Sequence, residues 1–161
     1  MATPASSKNT PHHGFLLITV DPPPVNGVRT SAWSLVRHRL ERGRWPLFVS
    51  TRNRRVIDAG SRLAFYVAGG RENSGRVMAI SEVSRKLSYG GVTDPPQLFL
   101  PAPDQVLVLQ RTEFLQPAPR LRDVVERLSF RPERIEAWGV VLIGGCRALS
   151  LADWNLVVGR E

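Results

Sequence analysis

Proline and glycine set the first limit on what this chain can fold into. There are 13 of each, and they fall between short apolar runs, so short strands joined by turns are the natural elements rather than long uninterrupted helices. Phe15-Leu16-Leu17-Ile18-Thr19-Val20 is a continuous, partly β-branched run stopped by Asp21 and a row of prolines, the pattern of a strand buried on both faces. Ser31 is placed to cap a helix that runs to about Arg42 and stops at Gly43. On that helix Trp33, Val36 and Leu40 recur at spacings of three and four and form its apolar stripe. In the next segment Pro46 disfavours helix at Trp45 and holds the indole on a stiff, extended loop.

Val56 to Gly60 leads through a turn into the run Leu63–Ala68, which is expected to pair with Val77–Val83 across the polar turn Gly69–Gly75. Ser88 to Pro103, rich in proline and glycine, reads as a long loop, and long loops in compact domains are often functional. Val106–Leu109 resumes a strand toward Leu115. Leu121, Val124, Val125 and Leu128 predict a helix over 121–129, Trp138 to Ile143 predicts the last strand, and Ser150-x-x-Asp153 has the form of a capping box before a closing helix. Residues 1–14 are small, polar and proline-interrupted and are expected to be a mobile tail outside the fold. With 161 residues, the remaining 15–161 make a single domain. The order of elements predicts an α+β fold, a small mixed sheet curled toward a barrel with helices packed outside it.

The charge is the first functional signal. Lys and Arg outnumber Asp and Glu to give a formal net charge of +8, and only Lys8 and Lys86 are lysines. Guanidinium binds phosphate through a planar fork and stacks on rings. The excess is concentrated: Arg37, Arg39, Arg42, Arg44, Arg52, Arg54 and Arg55 lie within 37–55 against Glu41 alone. Such a cluster reads as a phosphate-facing patch, although an arginine-rich composition and a solvated face account for the same residues.

Catalytic and metal chemistry have little to draw on. The histidines are His12, His13 and His38, two in the expected tail and one among arginines, so no Ser-His-Asp arrangement is in view. Cys146 is the one cysteine, which excludes an internal disulfide and a multi-cysteine metal site, and a buried structural thiol is the simpler reading of it. No Walker loop, dinucleotide fingerprint or His-Glu-x-x-His motif occurs, and no cofactor is implied. The absence of a long apolar run and of a signal-peptide start in Met1–Pro11 leads to the expectation of a cytoplasmic protein with no membrane partner.

Aromatic residues beside positive charge remain. Trp33 and Trp45 flank the arginine cluster and Phe65-Tyr66 follow it, a combination that suits base stacking with phosphate contact. Helical spacing favours the core for Trp33, and the loop setting favours a pocket for Trp45. Phe65 and Tyr66 point to opposite faces of their strand, so only one can line a given cavity. Tyr66 is preferred because a buried hydroxyl seeks a partner.

The stretch from Gly43-Arg44-Trp45-Pro46-Leu47, through Val56-Ile57-Asp58-Ala59-Gly60-Ser61-Arg62-Leu63-Ala64-Phe65-Tyr66, to the element ending Ser81-Glu82-Val83 resembles the EVE domain family of the PUA-like superfamily, which is related to YTH domains. Ser61 stands where that family usually has aspartate, and its Tyr-x-Asp element is loosened here to Tyr89 through Asp94. The resemblance implies a strongly curved mixed sheet or pseudo-barrel with flanking helices, and a cavity that takes one flipped, modified base, such as a methylated or hydroxymethylated cytosine in DNA. It makes Trp45 a stacking wall, with Tyr66, Ser81, Tyr89 and Trp33 as further pocket candidates. Charge, rather than the family, assigns Arg44, Arg52, Arg54 and Arg55 to phosphates. An RNA-binding domain of the same superfamily, a PUA-like ribonuclease and a module for an acidic protein partner are the competing readings.

Overall fold

A computed structural model describes residues 12–24, 26–89, 102–134, 139 and 144–160. Six strands form one sheet: β1 (Gly14–Thr19), β2 (Arg44–Leu47), β3 (Arg62–Val67), β4 (Arg76–Ser88), β5 (Gln105–Phe114) and β6 (Cys146–Leu149). Two helices flank it, α1 (Ala32–Arg42) and α2 (Leu151–Val158). The strand order is β2-β5-β4-β3-β1-β6, and the sheet is mixed because β1 runs parallel to β3 while every other pair is antiparallel. This is the α+β architecture expected from the sequence.

Alternation along the strands builds two cores. Phe15, Leu17, Leu63, Phe65 and Val67 face a cluster with Val36 and Leu40 of α1. Leu16, Ala64 and Tyr66 face the opposite cluster, with Leu121, Val125 and Leu128 and with Trp154 of α2. A sheet covered on both sides explains why β1 and β3 read as unbroken apolar runs.

Helix α1 has the predicted ends. The Ser31 hydroxyl accepts from Ser34 N–H, and Gly43 closes the helix in the left-handed conformation at φ 65°. Asp21 at the end of β1 accepts from Ala32 N–H at 2.8 Å and ties the helix start to the sheet. Ser150 caps α2 by accepting from Asp153 N–H, while the Asp153 carboxylate turns to Ser129 N–H and Oγ.

Three expectations change. Arg44–Leu47 is not a loop but an edge strand, with Trp45 opposite Leu107 on β5; an edge position tolerates Pro46, which lacks an N–H for the ladder. Residues 121–129 are two 3-10 turns, Leu121–Asp123 and Val125–Arg127, joined at Val124 (φ −117°, ψ −4°), and neither turn has a side-chain cap: Arg120 and Val124 at their N-caps make no such bond. The apolar stripe still packs inward through Leu121, Val125 and Leu128. At the N-terminus His13 N–H donates to Leu149 O and Gly14 opens β1, so the fold reaches into the expected tail. The rest of that tail, most of the Ser88–Pro103 loop and the expected strand Trp138–Ile143, Gly139 apart, lie outside the described residues.

Candidate nucleic-acid interface

The site begins where β2 meets α1. Trp45 is 5% exposed, and its ring packs against Phe65 at a centroid separation of 4.5 Å. Arg39, on α1, is 6% exposed, and its guanidinium carbon lies 5.3 Å from the centroid of the Trp45 ring, a cation–π arrangement. Burial lowers the Arg39 pKa to about 10, which leaves it cationic at neutral pH.

A cavity of about 320 Å³ opens beside this pair. Leu17, Val20, Pro46 and Phe48 supply apolar wall, and Thr19 and Thr51 bring hydroxyls. The turn after β2 shapes one side, with Thr51 N–H donating to Phe48 O and Phe48 N–H donating to Thr51 Oγ1. Gly144 and Gly145 close another side, where Ile18 N–H donates to Gly145 O and Arg52 N–H donates to Gly144 O. The Arg52 side chain lies so close to Gly144 that a Cβ there would sit 2.5 Å from Arg52 Nε, and Gly144 has φ +98°. The positive φ favours glycine there, and any larger residue would also have to displace the Arg52 side chain.

The cavity volume stands at the lower end of the roughly 300–1,000 Å³ usual for small-ligand sites. It offers a flat aromatic group, apolar wall, hydroxyls and a buried cation. That set suits a planar, polar-edged ring better than an extended chain.

The sequence-derived pocket residues do not converge on one cavity. Tyr66 is buried in the opposite core, where burial raises its pKa to about 12. Trp33 packs at the margin of the core cluster that holds Trp45, but it meets Phe114 edge-on at 6.2 Å and lines a separate concavity with Arg37, Met78 and Arg76. Ser81 is spent on the β4–β5 junction, donating to Gln110 O at 3.0 Å and lying 2.9 Å from Thr112 Oγ1. Tyr89 follows β4, its N–H donating to Asp104 O at 3.4 Å. Trp45 alone of the five lines the cavity described here.

The arginines divide in the same way. Arg52 adjoins the cavity through Gly144. Arg44 donates to Gly43 O, Arg54 pairs with Asp104 at 3.6 Å, and Arg55 is exposed. Arg39 is the functional candidate that the sequence reading passed over. Its signal was present: Ala32, Val36, Arg39 and Leu40 form the buried stripe of α1, and reading the stripe from Trp33 instead of Ala32 places residue 39 on the wet side.

Among the described residues no group of three or more His, Cys, Asp or Glu could hold a metal ion, and no helix is long and apolar enough to cross a membrane. Cys146 is buried on β6; burial raises its pKa to about 11, partly offset by the Asn53 amide that donates to its sulfur.

No protein-family model matches the chain, and no curated protein matches it. Among solved structures it is similar to the DUF55 domain of human thymocyte nuclear protein 1, with a TM-score of 0.56 at 12% identity, covering 91% of this chain and 96% of that one. At that identity the likeness is one of fold. A mixed sheet with flanking helices is the architecture that the EVE resemblance of Trp45, Gly60 and Phe65-Tyr66 implied. The N-terminal domain of Staphylothermus marinus McrB also aligns, over 93% of this chain and 95% of that one, at 10% identity and a TM-score of 0.49.

Proposed function

We propose that this PUA-like domain binds nucleic acid without catalysing a reaction on it, and takes one extruded base, a modified cytosine in DNA, into the cavity beside Trp45. The observation that carries the reading is a cavity of about 320 Å³ walled by a buried indole and by the Arg39 cation, with Arg52 packed against its Gly144 wall. The net charge of +8 supports a polyanionic partner.

The energies are of the right order. Extruding a base costs a few kcal/mol. An aromatic contact returns about 1–3 kcal/mol, and a hydrogen bond to a charged group about 1.5–3 kcal/mol. Base and site therefore come close to balance, and phosphate contacts supply the net affinity. A C5 methyl buried against Leu17, Val20 or Phe48 adds about 0.8 kcal/mol, which is roughly a fourfold preference.

The test is a tryptophan-fluorescence titration with matched DNA oligonucleotides carrying cytosine, 5-methylcytosine or 5-hydroxymethylcytosine at one position. A preference of about fourfold or more for a modified base is expected, and equal affinity for all three removes the modified-base reading. Tighter binding of the RNA strand of the same sequence at fixed salt moves the domain to RNA.

A further inference from the structure

Two exposed valines stand at the cavity beside Trp45. Val20, 62% exposed, lines it just after β1, and Val49, 71% exposed, sits between Phe48 and Ser50, which both line it. Val49 is the most exposed large apolar side chain among the described residues. A lone surface valine is ordinary, but turn chemistry does not account for this one, because the tips of such turns favour Gly, Pro, Asn, Asp and Ser. The turn is also braced. Thr51 N–H donates to Phe48 O at 2.9 Å and Phe48 N–H to Thr51 Oγ1 at 3.0 Å, while Asp104 N–H holds Leu47 O on one side and Arg52 N–H holds Gly144 O on the other. Val49 is thus an apolar tip that meets a partner without the entropy cost of ordering a loose loop.

A base drawn out of a duplex leaves a gap behind it. Its former neighbours stand about 7 Å apart, twice the rise of one nucleotide, and the base falls back unless the space is filled. Proteins that hold a duplex step open fill it with an apolar side chain. A single strand has no paired stack to hold open and gives up its base at less cost.

We infer that Val49 is the wedge that takes the place of the extruded base, and that the ligand of this site is therefore double-stranded DNA. The inference rests on the proposed single-base site and deepens it. The extruded base and the gap it leaves are joined by the backbone of one nucleotide, so a wedge has to stand beside the wall of the base cavity. Phe48 and Ser50 put residue 49 there. Arg52, three residues on, is exposed against the Gly144 wall and brings a cation to the same rim.

The experiment compares the full chain with Val49→Ser, Val49→Leu and, as a control, Leu151→Ser, an exposed apolar residue on α2. Each is titrated with one DNA sequence as a duplex and as a single strand, carrying 5-methylcytosine or an abasic residue at one position, with 2-aminopurine beside it to report unstacking. Val49→Ser should bind the 5-methylcytosine duplex about 5- to 30-fold more weakly, the loss expected when a valine is no longer buried, and lower the 2-aminopurine signal at saturation. Its affinity for the single strand should stay within about twofold, Val49→Leu should keep the duplex affinity, and Leu151→Ser should change neither. Thermal melts confirm that the variants fold. If Val49→Ser leaves duplex binding intact, if it weakens duplex and single strand alike, or if the parent chain binds only the single strand, the wedge is overturned while the single-base site stands. If the abasic single strand binds as tightly as the 5-methylcytosine one, the single-base site itself is wrong, and the wedge falls with it.

Discussion

Gly144→Ala is the substitution that most sharply probes how the cavity is closed. Gly144 has φ +98°, and a Cβ added there would lie 2.5 Å from Nε, 2.6 Å from Cδ and 2.8 Å from Cγ of Arg52. Two effects follow. An L-residue held at positive φ costs about 1–2 kcal/mol, which at roughly 2–4 °C per kcal/mol for a chain of this size lowers Tm by roughly 2–8 °C. The Arg52 side chain, being flexible, swings away rather than absorb a contact that close. If Arg52 holds one phosphate at the rim, the slope of log K against log salt loses about one unit. The assay is a pair of measurements on the same variant, a thermal melt and a salt-dependent oligonucleotide titration. Arg52→Ala serves as the control, losing the same slope without the backbone strain. An unchanged Tm would contradict the conformation assigned to Gly144, and an unchanged slope in both variants would remove Arg52 from phosphate binding.

Other outcomes follow from the same packing. Trp45 is part of the core, so Trp45→Ala should cost about 3–5 kcal/mol of stability, a loss visible in chemical denaturation; Trp45→Phe, retaining the contact with Phe65, should stay folded and lose affinity for a base-containing site more than for an abasic one. Cys146, with its thiol pushed up to about 11, should resist a thiol reagent at pH 8 until the protein is denatured, and rapid labelling of the native chain would refute its burial. His13 accepts from Arg62 at 2.7 Å, and burial together with that cation lowers its pKa from 6.5. The folded state then binds fewer protons than the unfolded one, so stability present above pH 6.5 is lost as the pH falls through the folded pKa. Melts between pH 7.5 and 5 should show a steeper decline for the parent than for His13→Gln, and parallel curves would deny the linkage.

What the sequence made legible was whatever local chemistry decides. The Ser31 and Ser150 caps, the Gly43 stop, the β3–β4 hairpin and the double-sided burial of β1 follow from capping, glycine conformation and unbroken apolar runs, and each is present. What it hid depends on partners distant in the chain. Nothing near Trp45 announces that Leu107 pairs with it and turns a loop into an edge strand. The stripe over 121–129 has helical spacing, yet its carboxy-terminal end is claimed by Asp153 from another helix. Among the site residues, alternation correctly separated Phe65 from Tyr66, but which of the two faces Trp45 is set by the sheet, and it is Phe65. Arg39 was discounted as one charge among many because burial of a charge is a tertiary property.

The central claim is that a base enters the cavity beside Trp45 rather than lying on the arginine-rich surface. The four tryptophans give separate indole N–H signals in an ¹⁵N-correlated NMR spectrum, and Trp45→Phe identifies the one that matters. On titration with an oligonucleotide carrying 5-methylcytosine, the Trp45 indole and the backbone amides of Thr51 and Gly145 should shift together and saturate with the binding curve, and an abasic oligonucleotide should leave the indole in place. Shifts confined to exposed residues such as Arg42 and Arg55, with the Trp45 signal unmoved, would contradict the account.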